Sequence, residues 1–93
     1  MTSPTTNSTT GVSTVNVRYF AAARAAAGVS EEPAPGGIGL DELVDVLGIR
    51  HGERLATVLK VASFLVNGVV RHDRRQPLPP DATVDVLPPF AGG

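Results

Sequence analysis

Apolar and polar residues alternate in two segments of this chain, one near each end. In residues 15–20 the odd-numbered positions are apolar or aromatic, and in residues 83–87 valines occupy the even-numbered positions. Because successive side chains of a β-strand point to opposite faces of a sheet, each segment is predicted to be a strand with one apolar face. Phe20 and Leu87 end these strands and point to the opposite face.

Residues 64–71 predict a β-hairpin. The pair Asn67-Gly68 lies between two β-rich runs and favours a two-residue type I′ turn. Leu65 and Val70 then pair on one face of the hairpin, and the valines that flank the turn pair on the other. Earlier in the chain, residues 31–34 precede a Pro-Gly-Gly break and predict a short edge strand.

Three segments predict helices. Residues 21–27 are nearly all alanine and precede Gly28, which suits a short helix with a left-handed glycine cap. The apolar residues of segment 40–47 form one helical stripe, and Gly48 is predicted to end this main packing helix. Residues 53–61 repeat the pattern in a second short helix.

The charged and polar residues suggest little chemistry. His51 is expected to be exposed, and residues 72–75 are expected to form a solvated loop. The two histidines lack a paired ligand motif and the chain has no cysteine, so neither a metal site nor a thiolate nucleophile is predicted. No catalytic residues and no bound cofactor are therefore expected in this chain.

Length and charge restrict the classes of partner. A chain of 93 residues with 42% hydrophobic content is expected to form one small domain. Its formal net charge of −1 provides no field to hold nucleic acid or an anionic membrane. No apolar run approaches the roughly 20 residues of a membrane span, and the N-terminus has no signal core. The protein is therefore expected in the cytoplasm.

The two ends of the chain differ from the segment between them. Residues 1–14 are rich in Ser and Thr without apolar periodicity, which predicts a disordered tail before a domain at 15–87. Residues 88–93 begin with two prolines, which stop a strand, and end in Gly92 and Gly93. This tail is predicted to be flexible and to extend roughly 20 Å. Taken alone, Gly-Gly is also typical of a frayed terminus.

The segment Val17-Arg18-Tyr19-Phe20-Ala21 and the ending Pro-Pro-Phe-Ala-Gly-Gly, directly after a strand, resemble the ubiquitin-like sulfur carriers. The resemblance is closest to the small subunit of molybdopterin synthase. The order of elements alone fits several small α+β folds, whereas the resemblance implies a β-grasp. In that fold the last strand lies parallel to the first within a mixed sheet, and one main helix packs across it. The core would then contain Val15, Val17, Tyr19, Phe64, Val66, Val69, Val84 and Val86.

The resemblance also implies a function for the terminus. In that family an activating enzyme uses ATP to adenylate the terminal glycine, here Gly93, which is then converted to a thiocarboxylate. The tail enters the active site of the large synthase subunit, within a heterotetramer, and donates sulfur to cyclic pyranopterin monophosphate. The tail residues concerned are Pro89, Phe90, Ala91, Gly92 and Gly93.

Apolar residues on the second face of the predicted sheet suggest a docking patch for this partner. Phe20 and Leu87 lie at the same end of parallel neighbouring strands, and Leu65 and Val70 can join them. Single exposed apolar residues are nevertheless ordinary in proteins. Alternative functions are a sulfur carrier for thiamine, cysteine or tRNA thiolation, a ubiquitin-like protein modifier that forms isopeptides, and a binding module that does not use its tail.

Overall fold

Within residues 13–89, which the computed structural model describes, the chain forms five strands and three helices. Their bounds are β1 Thr14–Tyr19, α1 Ala22–Ala27, β2 Glu31–Pro35, α2 Leu40–His51, α3 Glu53–Val61, β3 Ser63–Val66, β4 Val69–Val70 and β5 Thr83–Leu87. Residues 1–12 of the predicted N-terminal tail lie outside the described residues. Residues 90–93 of the predicted C-terminal tail lie outside them as well.

The strands form one mixed sheet in the order β2-β1-β5-β3-β4. The last strand, β5, lies parallel to β1 and antiparallel to β3, so the two ends of the described chain meet in the middle of the sheet. The other strand pairs are antiparallel. This arrangement confirms the predicted β-grasp fold with a parallel central pair.

The core lies between one face of the sheet and the helices. Seven of the eight predicted core residues are buried, namely Val15, Val17, Tyr19, Phe64, Val66, Val84 and Val86. Leucines from α2 and α3 complete the same cluster. The prediction was wrong for Val69, which is 69% exposed because it lies on a two-residue strand at the edge of the sheet.

The main packing helix is longer than predicted. Gly48 does not end α2, which continues to His51 and stops at Gly52, where φ is 97°. A Cβ added to Gly48 would lie 3.3 Å from the Cβ of Ala56 on α3. The glycine at position 48 therefore allows two consecutive helices to pack closely, and this tertiary contact outweighs its weak helix propensity.

Two predicted turns have the expected geometry. Gly28 adopts the left-handed conformation after α1, and its N–H bonds to the carbonyl of Arg24. In the hairpin, Asn67 and Gly68 both have positive φ, as a type I′ turn requires. Asn67 also exchanges two hydrogen bonds with Thr83, at 2.8 and 2.9 Å, which attach the turn to the start of β5.

Candidate functional site

The face of the sheet opposite the helices, here called the open face, contains the residues of the predicted docking patch. Strand register aligns four side chains across its centre, because Asp85 pairs with Arg18 on one side and with Leu65 on the other. Leu65 in turn pairs with Val70. The neighbouring row contains Leu87 opposite Ser63. If the parallel register of β1 and β5 continues by one residue, Phe20 lies beside Leu87.

An ion pair at the centre of this face was not predicted from the sequence. Arg18 donates from Nε to Oδ1 of Asp85 at 2.6 Å and from Nη2 to Oδ2 at 2.9 Å. Asp85 is only 6% exposed, although its position on the strand points it away from the helices. The hydrogen bond to Asp85, reinforced by its charge, raises the pKa of Arg18. The two-point geometry holds both side chains in fixed positions between β1 and β5.

The apolar residues of the open face surround this ion pair. Phe20 is 39% exposed and Val70 is 50% exposed, whereas Leu65 and Leu87 are partly buried. The guanidinium carbon of Arg18 lies 5.7 Å from the centre of the Phe20 ring, within the range of a cation–π contact. The structure therefore places Phe20, Leu65, Val70 and Leu87 on one face, with a charged pair among them.

The open face leads directly to the tail. Pro88, after β5, is buried, and Pro89 is exposed. Phe90, Ala91, Gly92 and Gly93 lie outside the described residues. The described chain therefore ends at Pro89, two residues after Leu87, which pairs with Ser63.

A second polar cluster lies under the helices, and it corrects the prediction that His51 is exposed. His51 has 15% side-chain exposure, and its Nε2 lies 2.5 Å from Oε2 of Glu32. The Tyr19 hydroxyl donates to the same oxygen at 2.6 Å, and Arg50 donates to Oε1 at 3.0 Å. Because Glu32 points inward from an edge strand, its carboxylate can accept bonds from the end of α2 and from β1 at once.

The ionisation of this cluster follows from its contacts. Burial alone would raise the pKa of Glu32, but hydrogen bonds from Tyr19, His51 and Arg50 together hold it below its usual value. Burial, followed by the hydrogen bond to Glu32, raises the pKa of Tyr19. The sequence offered one signal of this cluster, since a buried tyrosine hydroxyl normally needs a hydrogen-bond partner. The cluster joins β1, β2 and α2, and its carboxylate is fully engaged within the fold.

The charged segment after β4 is an exposed loop, and two of its arginines contact the rest of the domain. Arg74 places its guanidinium carbon 5.0 Å from the centre of the Phe64 ring and donates to the carbonyl of Ala62 at 3.3 Å. Arg71 donates to the carbonyl of Gln76 at 2.9 Å. Residues 72–75 are nevertheless exposed and belong to no helix or strand, so the predicted solvated loop is confirmed.

Two further structural findings apply to residues 13–89. This part of the chain contains no group of three or more His, Cys, Asp or Glu side chains arranged to hold a metal ion. Its helices are all too short or too polar to cross a membrane.

Comparison with protein families gives a match to the ThiS family over residues 17–93. The chain belongs to the ThiS family. The match begins within β1, includes all later strands and helices, and extends to Gly93. Comparison with curated protein sequences found no significant match.

Solved structures similar to this ThiS-family chain share its fold. A putative molybdopterin converting factor, subunit 1, from Pyrococcus furiosus is 27% identical, with a TM-score of 0.68 over 84% of this chain and 99% of the other. The small archaeal modifier protein 1 of Methanosarcina acetivorans is 23% identical, with a TM-score of 0.73 and coverage of 88% and 98%. Subunits 1 and 2 of the Helicobacter pylori molybdopterin-converting factor form a complex whose matching chain is 24% identical, with a TM-score of 0.63 and coverage of 86% and 99%.

Proposed function

We propose that this ThiS-family protein is a sulfur carrier for molybdopterin formation. The observation that carries the proposal is the similarity to the Pyrococcus furiosus subunit over nearly its whole length. That protein is described as a molybdopterin converting factor subunit, and the Helicobacter pylori factor consists of two different subunits in a complex. The present chain would likewise be the small, non-catalytic subunit, and its partner would supply the catalytic groups.

In this proposal the reactive group is the carboxylate of Gly93. With an ordinary pKa of roughly 3.5 it is ionised at neutral pH and is a poor electrophile. An activating enzyme joins the carboxylate to AMP from ATP and releases pyrophosphate. A sulfur nucleophile then displaces AMP to leave a thiocarboxylate. ATP is thus a substrate of the activating enzyme and not a cofactor of this chain.

The tail and the open face would meet the large subunit together. Pro89, Phe90, Ala91, Gly92 and Gly93 enter the partner's active site, where the small glycines allow close contact around the thiocarboxylate. Phe20 and the neighbouring apolar residues of the open face dock beside the entrance. Two such pairs form a heterotetramer, and sulfur passes to cyclic pyranopterin monophosphate.

The proposal is tested by reconstitution with the activating enzyme and large subunit of the same organism. The chain, ATP and a sulfur source are incubated first, and then the large subunit and cyclic pyranopterin monophosphate are added. We expect molybdopterin to form with the native chain and not with a chain that lacks Gly92 and Gly93. A loaded chain that transfers no sulfur to the pterin would indicate another acceptor pathway, such as thiamine synthesis or tRNA thiolation. Isopeptides on lysines would indicate a protein modifier.

A further inference from the structure

The segment that follows β4, residues 71–75, concentrates positive charge. It holds three of the eight Lys and Arg residues of the chain, Arg71, Arg74 and Arg75, against a single acid, Asp73. The whole chain, in contrast, has a formal charge of −1. Arg18 and Arg50 are neutralised by Asp85 and Glu32. Within residues 13–89, no ion pair involves the three arginines of the segment.

Contacts within the domain hold this segment in place. Arg74 lies against the Phe64 ring and donates from Nη2 to Ala62, and its own carbonyl accepts a bond from the N–H of Asp41 at 3.0 Å. Asp73 accepts from the N–H of Arg75 at 3.0 Å. A guanidinium has five N–H donors, and these bonds use one nitrogen of Arg74. The guanidinium of Arg74 is therefore held in place and retains donors for another molecule.

The segment lies beside the base of the tail. The N–H of Arg71 bonds to the carbonyl of Phe64 at 3.0 Å, which extends the pairing of β3 with β4 towards Ser63. Ser63 is directly opposite Leu87, the last residue of β5. A hollow of about 130 Å³ is lined by Ser63, Arg71 and Arg74, among others. Because neighbouring strands are roughly 4.8 Å apart and only β3 separates β4 from β5, Arg71 and Arg74 lie about two strand spacings from the point where the tail begins.

We propose that residues 71–75 dock onto an acidic surface beside the opening that takes the tail. The inference rests on the proposed function, because it assumes a protein that receives the tail. Guanidinium groups match carboxylates in a two-point geometry, so Asp and Glu side chains are the expected contacts. Three arginines form too small a field for nucleic acid, whose binding requires many phosphate contacts. The charges would increase the rate of encounter and orient the tail towards the opening.

The test measures association of the full-length chain with the large subunit at low and high salt. Arg74→Glu and Arg75→Glu are each compared with Arg54→Glu, which changes the net charge equally at an exposed position of α3. Arg54 lies eight residues before Ala62, about 12 Å along the helix axis. Arg75 makes no side-chain hydrogen bond within the described residues, so its variant should fold normally. Arg74→Lys keeps the positive charge but replaces the planar guanidinium, and with it the two-point hydrogen-bond geometry, by an ammonium group.

At low salt we expect each reversal in the segment to lower the association rate about fivefold, against less than twofold for Arg54→Glu. Arg74→Lys should stay within about twofold of the parent, and the differences should shrink in high salt. Equal effects of Arg75→Glu and Arg54→Glu would overturn the inference. If the two variants have equal effects but the parent still acquires sulfur and yields molybdopterin, the docking inference fails and the proposed function is retained. A parent that never binds the large subunit would overturn both.

Discussion

The two faces of the sheet use the same central strands for different purposes. On the covered face, inward side chains of β1 and β5 join helix leucines in a closed apolar core. Glu32 is the one charged residue of β2 on the covered face, and its carboxylate is hydrogen-bonded to Tyr19, Arg50 and His51. On the open face, Arg18 and Asp85 lie among partly exposed apolar residues. The covered face is complete within one chain, whereas the open face has apolar area that another protein can cover.

The largest effect is expected from the covered face. Leu47 is fully buried on α2, so Leu47→Ala removes core contacts and leaves a cavity. The free energy of unfolding should fall by about 3 kcal/mol. Ile49, on the same helix, is 87% exposed and provides a matched control. Ile49→Ala should change stability by less than about 0.5 kcal/mol in urea unfolding. Similar losses for the two variants would contradict the assigned helix orientation.

A smaller effect is expected from the polar cluster of the covered face. Glu32→Gln weakens the bonds from Tyr19, His51 and Arg50 and should cost about 2 kcal/mol at neutral pH. Since the folded-state pKa of Glu32 is below its ordinary value of 4.5, its stabilisation is present above that pH. The stabilisation is lost as pH falls towards the folded-state pKa.

Unfolding free energies measured between neutral and acid pH test this dependence. The stability difference between the parent and Glu32→Gln should shrink below about pH 4.5. Glu31→Gln is the control, because Glu31 lies on the same strand, is exposed and bonds only to Asn16 among the described residues. A constant difference between the parent and Glu32→Gln at every pH would show that the ionisation of Glu32 does not stabilise the fold.

The smallest effect on stability is expected from the open face, where binding should change instead. Phe20→Glu alters an exposed side chain at the end of β1, so unfolding should change by less than about 0.5 kcal/mol. Association with the large subunit should weaken about tenfold or more, because a charge would replace an apolar contact. Calorimetry of unfolding and of binding to the large subunit, for the parent and for Phe20→Glu, measures the two effects. An unfolded variant, or one that binds like the parent, would refute the proposed docking role.

Local patterns predicted much of the fold. Alternation located β1 and β5, the Asn67-Gly68 pair located the hairpin, and helical spacing located α3. The errors concern the packing of elements against one another, which local patterns do not give. Gly48 lies within α2 and faces Ala56 of α3, and the short edge strand leaves Val69 exposed.

Local sequence patterns also failed to predict the two polar sites of the domain. Arg18 and Asp85 are 67 residues apart, so their pairing depends on the register of two parallel strands. Glu32 and His51 meet because a strand and the end of a helix converge. The tail, in contrast, was recognised from its own sequence, and the part beyond Pro89 lies outside the described residues. Its function therefore remains a prediction from the family resemblance.

The mass of the chain after sulfur loading tests the central claim most directly. The native protein and a variant with one alanine added after Gly93 are each treated with ATP, the activating enzyme and a sulfur source. The native chain should gain about 16 Da, because one carboxylate oxygen is replaced by sulfur, and the extended chain should gain nothing. Equal gains in the two proteins without trimming, or no gain in the native chain, would contradict a carrier that works through the Gly93 carboxylate.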